Sequence, residues 1–429
     1  MQLKKRENRL AGETLYHGVH PSGLQVYIMP KPGYTKSYAL FGTKYGSVDS
    51  EFIVPGEDKP TKVPDGIAHY LEHKMFDQPD GSNVFDQFSK FGGNANAFTS
   101  FNLTAYLFSA TSHVYENLRT LLRYVQMPHF TPESVQKEQG IIGQEIGMYD
   151  DDANWKVFFN FLNCLYQNNP VKKEIAGTVE SISEITSDYL YKCYNTFYNL
   201  SNMTLFVVGD VDPEKTVAVI EENILKNESF SEEIRRIYPD EPEEIAKPYA
   251  QKKLSVSKPL FMMGFKDTDT GYGGESLLKK NIEMNILIEM LFGKSSALYQ
   301  RLYNEGLINQ SFFAEYTMQI DYAYTAIEGE SGNPKQVYDT IMDEISRIRE
   351  AGLDEADFDR IKKVVWGDYI RSYNDVEDYA HNFLTMEFMN IDYFSYYDVY
   401  LSVTFEDVKN RFLSHFDEKR AALSVIEPL

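Results

Sequence analysis

The chain has 429 residues, 43% of them apolar and 25% charged, with 31 Tyr, 28 Phe and a formal net charge of −22. That length exceeds one ordinary core and predicts two or more domains, while the apolar content excludes general disorder. The acid excess excludes nucleic acid and anionic membrane surfaces as partners, because a phosphate field repels it; basic peptides are attracted instead.

The N-terminal MQLKKRENRLAGETLYHG is basic but has no apolar stretch behind it, so it does not read as a Sec signal, and a cytoplasmic location is expected. The longest apolar runs, such as Met284 to Phe292, fall far short of the roughly 20 residues that span a bilayer. Leu24 to Met29 and Ser37 to Val48 alternate as strands around the turn-forming Lys31-Pro32-Gly33. Asp65 then reads as an N-cap, and Ile67, Leu71 and Met75 recur at helical spacing through GIAHYLEHKMF.

A short helix is expected over Val84 to Phe91, then a Gly92-Gly93 break, a strand at Leu103 to Ala110 and helices over Val114 to Val125 and Glu133 to Tyr149. Met203 to Gly209 is a buried strand, and Asp212-Pro213 opens a helix reaching about Leu225. Cys164 and Cys193 fall in helical stretches without C-x-x-C spacing, which predicts reduced thiols with no catalytic part.

Residues 229–252, with the run YPDEPEEIAKP, read as a charged linker between an N-terminal domain at 1–228 and a C-terminal domain at 253–429. The second half repeats the order of the first: a strand at Leu254 to Phe265, helices at Leu277 to Phe292 and Leu298 to Asn304, strands near Phe312 and Tyr324, and a helix from Pro334. FDQFSKFGG at Phe85 to Gly93 resembles YQRLYNEG at Tyr299 to Gly306, which predicts gene duplication and two similar α+β domains, each a mostly antiparallel sheet packed with helices.

The chemistry concentrates on one helix. His69 and His73, four residues apart, point their imidazoles to one side, where both can ligate one ion, and Glu72 projects beside them as a general base. This is the inverted H-x-x-E-H arrangement of zinc peptidases. A catalytic zinc needs a third protein ligand, and Glu145 is the candidate. Glu138 lies seven residues earlier, two turns away on the same face, where it can accept the second N–H of a ligating histidine. In the repeat alignment His69, Glu72 and His73 meet Asn285, Ile288 and Glu289, so one zinc site per chain is expected. His17, His20, His113, His129, His381 and His415 lack ligand spacing and read as surface or packing residues.

With DGIAHYLEHKMF, GGNANAFTSFNLTAYLFSAT, GIIGQEIGMYDD and AGTVESI, the chain resembles the pitrilysin-like, or M16, metallopeptidases over nearly its whole length, and within them the bacterial YmfH-like zinc peptidases. The resemblance implies two homologous domains of the LuxS/mitochondrial-processing-peptidase-like metallohydrolase type. It implies an endopeptidase that cleaves short or unfolded peptides inside a chamber, with Zn2+ on His69, His73 and Glu145, Glu72 as base and Glu138 as the supporting carboxylate. It also implies an edge strand, Asn94 to Thr99, that holds substrate by main-chain pairing at Asn96 and Ala97.

One feature departs from the family pattern. Where the second half usually carries an Arg and a Tyr that grip the substrate carbonyl, this chain reads LYNEGLINQ, with Tyr303 at the Arg position and Asn309 or Gln310 at the Tyr position. The expected assembly is therefore a heterodimer with a zinc-less homologous subunit supplying that pair, or else a homodimer. The alternative is a catalytically weak or inactive chamber-forming or peptide-binding subunit that needs such a partner.

Overall fold

The computed structural model describes residues 1–8, 12–79, 81–225, 230 and 232–429; the expected boundary at 228 and 229 lies outside the described residues. Strands β1 (Lys4–Asn8), β2 (Glu13–Val19), β3 (Gln25–Pro30), β4 (Ser37–Thr43), β5 (Glu51–Ile53) and β6 (Thr61–Lys62) come first. Helices α1 (Ile67–Lys74) and α2 (Val84–Ser89) separate them from the hairpin of β7 (Asn94–Thr99) and β8 (Thr104–Ala110). Helices α3 (Val114–Val125), α4 (Pro132–Asp151), α5 (Ala153–Leu165), α6 (Val179–Ser183) and α7 (Ser187–Phe197) lead to β9 (Met203–Gly209), α8 (Pro213–Asn223) and β10 (Arg235–Arg236).

The remainder runs β11 (Tyr249–Leu254), β12 (Leu260–Asp267), α9 (Gly274–Phe292), α10 (Ala297–Asn304), β13 (Phe313–Met318) and β14 (Ala323–Glu330). It continues through α11 (Pro334–Ala351), α12 (Glu355–Ser372), α13 (Val376–Phe388), α14 (Tyr396–Ser402), α15 (Phe405–His415) and the closing strand β15 (Ala421–Pro428). The expected single strand from Leu254 to Phe265 is two, because the chain turns at Leu254, where Val256 N–H bonds the Leu254 carbonyl, and restarts after Pro259.

Among the described residues the first large sheet has the order β1-β2-β3-β9-β4-β8-β7 and the second β11-β15-β12-β14-β13. Within the first, β3-β9-β4-β8-β7 matches the second strand for strand: one parallel pair, β3 with β9 or β11 with β15, then antiparallel ladders to an edge hairpin. The protein is thus a mixed α+β fold with mostly antiparallel sheets. Every residue of β9, MTLFVVG, is buried in the middle of its sheet, and each large side chain there contributes roughly 1.5–3 kcal/mol of transfer free energy.

Compact units do not coincide with chain halves. One comprises Met1–Ile146, Lys173–Tyr238 and Ser372–Phe388; the other comprises Gly147–Lys172, Pro239–Arg371 and Met389–Leu429. In the first unit α13, from late in the chain, packs on β4 and β9; in the second α5, from early in the chain, packs on β11, β12 and β15. Each sheet admits its helix at a glycine: a Cβ on Gly42 of β4 would stand 2.5 Å from Leu384 of α13, and one on Gly264 of β12 would stand 2.9 Å from the Phe161 ring of α5.

The acidic connecting segment is pinned at both ends. In the first unit Arg236 pairs with Asp49, 3.1 Å away, and Tyr238 donates to the same carboxylate at 2.7 Å. In the second, Glu241 accepts the backbone N–H groups of Gln167, Asn168 and Asn169 and pairs with Lys266, which also donates to the Pro242 carbonyl.

Candidate metal centre

Helix α1 starts where the chain is too crowded for a side chain. Gly66 precedes it with φ 90°, no side chain caps it, and a Cβ on Gly66 would collide with the Ala176 carbonyl. A Cβ on Gly177, whose φ is 74°, would likewise collide with the Asp65 carbonyl, which accepts from Ser181 at 2.8 Å. The expected Asp65 cap is absent; its carboxylate pairs instead with Lys173 at 2.9 Å. The AGTVESI segment thereby fixes where the zinc-motif helix begins.

Ile67, Leu71 and Met75 bury the apolar stripe of α1, as their spacing predicts. Its register on α4 is set by polar contacts: the Tyr70 hydroxyl donates to the Val135 carbonyl and Lys74 Nζ to the Ser134 carbonyl. Lys74 is wholly buried and also pairs with Asp77. These contacts fall one turn before Glu138, so they place Glu138 and, two turns on, Glu145 opposite the histidines.

His69 Nε2 lies 3.6 Å from one Glu145 oxygen and His73 Nε2 lies 3.4 Å from the other. His69, His73 and Glu145 offer one ligand atom each within 4.8 Å of one another, and no other such group occurs among the described residues. A tetrahedral ion bonded at about 2.0–2.1 Å to nitrogen and oxygen requires ligand atoms about 3.3–3.4 Å apart; each histidine nitrogen stands near that distance from a Glu145 oxygen, and the donor types, two imidazoles and a carboxylate, suit zinc. Two imidazoles and one carboxylate would leave a fourth position open on such an ion. His73 Nδ1 sits 3.1 Å from Glu138 Oε1, which fixes Nδ1 as the protonated nitrogen and turns the Nε2 lone pair toward Glu145.

Glu72 is 8% exposed, and burial raises its pKa above the ordinary carboxylate value, though His69, Thr99 and His73 oppose the shift. Burial acts to lower the His73 pKa, but the Glu138 hydrogen bond and the charges of Glu145 and Glu72 outweigh it, and the net shift is upward. Thr99, which sequence reasoning did not single out, donates its hydroxyl to Glu72 Oε2 at 2.6 Å. Its only sequence signal is its place in the NANAFTSFNLTAYLF segment.

Asn96 and Ala97 lie on β7, which pairs with β8 along one side and forms the end of its sheet. The Asn96 side chain accepts the Ala97 N–H at 2.9 Å. In the second repeat Asn285 bonds Asn281 and Ile288 is buried, so the helix equivalent to α1 gathers no ligand set. Tyr303 is 44% exposed, and Asn309 is occupied by its turn, donating to Glu330 and accepting from Ser311. Cys164 and Cys193 are buried free thiols whose pKa values burial pushes up to about 11 and about 12, which leaves both unreactive.

Known proteins resemble this chain along most of its length. The insulinase (peptidase family M16) profile matches residues 56–179, and the peptidase M16 inactive domain matches residues 184–365. The chain is 44% identical over 410 residues to the uncharacterized zinc protease YmfH of Bacillus subtilis, covering 95% of each. A crystal structure described as an M16-like peptidase from Alicyclobacillus acidocaldarius superposes with a TM-score of 0.92 at 35% identity, covering 100% of this chain and 99% of that one. A protease from Helicobacter pylori shares the fold, with a TM-score of 0.81 at 20% identity over 96% of this chain and 99% of that one. Two M16 modules in succession and a near full-length relative at that identity establish that the chain belongs to peptidase family M16.

Proposed function

We propose that the protein is a zinc-dependent endopeptidase cleaving short or unfolded peptides inside a chamber, with His69, His73 and Glu145 holding the metal and Glu72 as general base. The observation that carries this reading is the convergence of those three ligand atoms within 4.8 Å beside a buried glutamate of the same helix. Zinc there would supply Lewis-acid polarisation and lower the pKa of a bound water toward about 7. Glu72 takes the water proton and later returns it to the leaving amine. Glu138 keeps the His73 ring in the tautomer that ligation needs. The open side of β7 holds the peptide by main-chain pairing at Asn96 and Ala97, once the Asn96 side chain releases the Ala97 N–H.

A second reading, that the chain is weak alone and works in a heterodimer, is favoured by LYNEGLINQ. Tyr303 offers no guanidinium at the Arg position and neither Asn309 nor Gln310 offers a phenol at the Tyr position, so a zinc-less homologous subunit would supply the pair; a homodimer would lack it in both copies. Two buried free cysteines support a reducing, cytoplasmic setting. Among the described residues, no helix is long and apolar enough to cross a membrane.

The test is zinc content by elemental analysis alongside cleavage of a quenched peptide library, for wild type and Glu72→Gln, alone and with the homologous partner. Near-stoichiometric zinc with cleavage that Glu72→Gln abolishes is expected. Zinc-free protein that stays inactive with its partner overturns the reading.

A further inference from the structure

The Glu72 carboxylate has one hydrogen-bond donor among the described residues, the hydroxyl of Thr99, at 2.6 Å from Oε2. Thr99 is the last residue of β7, two positions after Ala97, so the strand proposed to carry the peptide also carries the contact that holds the base. The direction of that hydroxyl is fixed three ways. Thr99 is paired directly opposite Thr104 in the β7/β8 ladder. Thr104, fully buried, gives its proton to the Tyr45 carbonyl at 3.0 Å, so the 3.3 Å contact between the two hydroxyls leaves the Thr99 proton to Glu72. A β-branched side chain has few χ1 choices.

We infer that Thr99 is a positioning residue for the proposed hydrolysis: it fixes the Glu72 carboxylate through Oε2, leaves Oε1 for the water, and couples base alignment to the placement of β7. The inference rests on the peptidase reading above. A free glutamate side chain samples several rotamers, and losing that freedom costs conformational entropy. A donor built into a sheet meets this cost when the chain folds, so the base is already aligned when the peptide arrives. A purely structural Thr99, present only to satisfy a buried carboxylate, predicts something else: its removal would lower stability and zinc affinity together.

The test compares wild type, Thr99→Val and Thr99→Ser as full-length protein, with the partner subunit where activity needs it. It measures kcat and KM on a quenched peptide, zinc affinity by chelator competition, melting temperature and the crystallographic rotamer of Glu72. Thr99→Val should lower kcat about 10- to 100-fold with KM and zinc affinity within about twofold of wild type, and Thr99→Ser should restore kcat to within about threefold. In crystals Glu72 should hold one rotamer in wild type and Thr99→Ser and several in Thr99→Val. An unchanged kcat in Thr99→Val, a parallel fall in zinc affinity or melting temperature, or a serine that fails to rescue overturns the inference. If wild type cleaves nothing, the peptidase reading falls by itself, and the rotamer comparison still decides: several rotamers in Thr99→Val alone support the positioning role, and one rotamer in all three proteins overturns it.

Discussion

His73 Nδ1 lies 3.1 Å from Glu138 Oε1, across the interface of α1 and α4. Because the same ring turns Nε2 toward Glu145, the Glu138 contact selects which nitrogen is free to ligate. Glu138→Ala should therefore weaken zinc binding about 10- to 100-fold while leaving His69, His73 and Glu145 in place. Chelator competition on the purified variant measures this, and an affinity equal to wild type would show that Glu138 does not tune the ligand.

Metal removal should cost stability as well as activity. The three proposed ligands come from α1 and α4, and zinc held there would favour only the folded arrangement of both helices. At free zinc of about 1,000 times Kd the folded state gains about 4.1 kcal/mol. Stripping zinc from wild type should lower the melting temperature, whereas His69→Ala should melt at the same temperature with and without zinc. A wild type that melts identically in both states would remove the site from the folding balance.

How far the sequence reads depends on whether a feature is written locally. Ile67, Leu71 and Met75 announce α1 because helical periodicity needs only neighbouring residues, and the apolar run of Met203 to Gly209 announces a central strand for the same reason. The NANAFT strand has weak β-formers at four of its six positions and was accessible only through family resemblance. Asp65 failed as a cap because a left-handed Gly66 takes the N-cap position, where the Ala176 carbonyl, more than a hundred residues away, leaves no room for a side chain. The sheet that α5 or α13 covers, and the partner of the Thr99 hydroxyl, are tertiary facts with no local signature. The candidate site was legible to the extent that its residues share helix faces, which is true of His69 with His73 and of Glu138 with Glu145.

The two glycines under those helices should differ in cost. A Cβ on Gly42 meets the far end of Leu384, which can rotate away, whereas one on Gly264 meets the Thr325 backbone carbonyl of the adjacent strand as well as Phe161. Overpacking of this kind costs typically about 1–3 kcal/mol, so Gly42→Ala should fall near the lower end and Gly264→Ala at or above the upper end. Urea denaturation of both variants measures the difference, and equal losses would show that backbone and side-chain obstruction are equivalent here.

Acid should destabilise the second unit through His415 before it does so through Asp267. His415 is fully buried, with Nε2 2.6 Å from the Thr325 hydroxyl and Nδ1 3.6 Å from Asp267 Oδ2. Burial holds its pKa below the ordinary histidine value despite Asp267. Burial alone would raise Asp267, but His415, Lys280 at 3.4 Å and the Tyr316 hydroxyl hold it well below the usual carboxylate range. Both groups bind protons more readily in the unfolded chain, so both contributions are present at high pH and are lost as pH falls. The His415 term begins to act below about 6.5 and the Asp267 term below about 3.9, each with a slope of at most about 1.4 kcal/mol per pH unit. Arg411 and Arg420 face the same imidazole and add to the cost of charging it. Urea midpoints measured from pH 7.5 down to 5 should therefore fall in wild type and run flatter in His415→Gln, whatever the variant's absolute stability. Parallel slopes in the two proteins would mean that His415 takes up its proton in the folded state, and that the acid sensitivity comes from elsewhere.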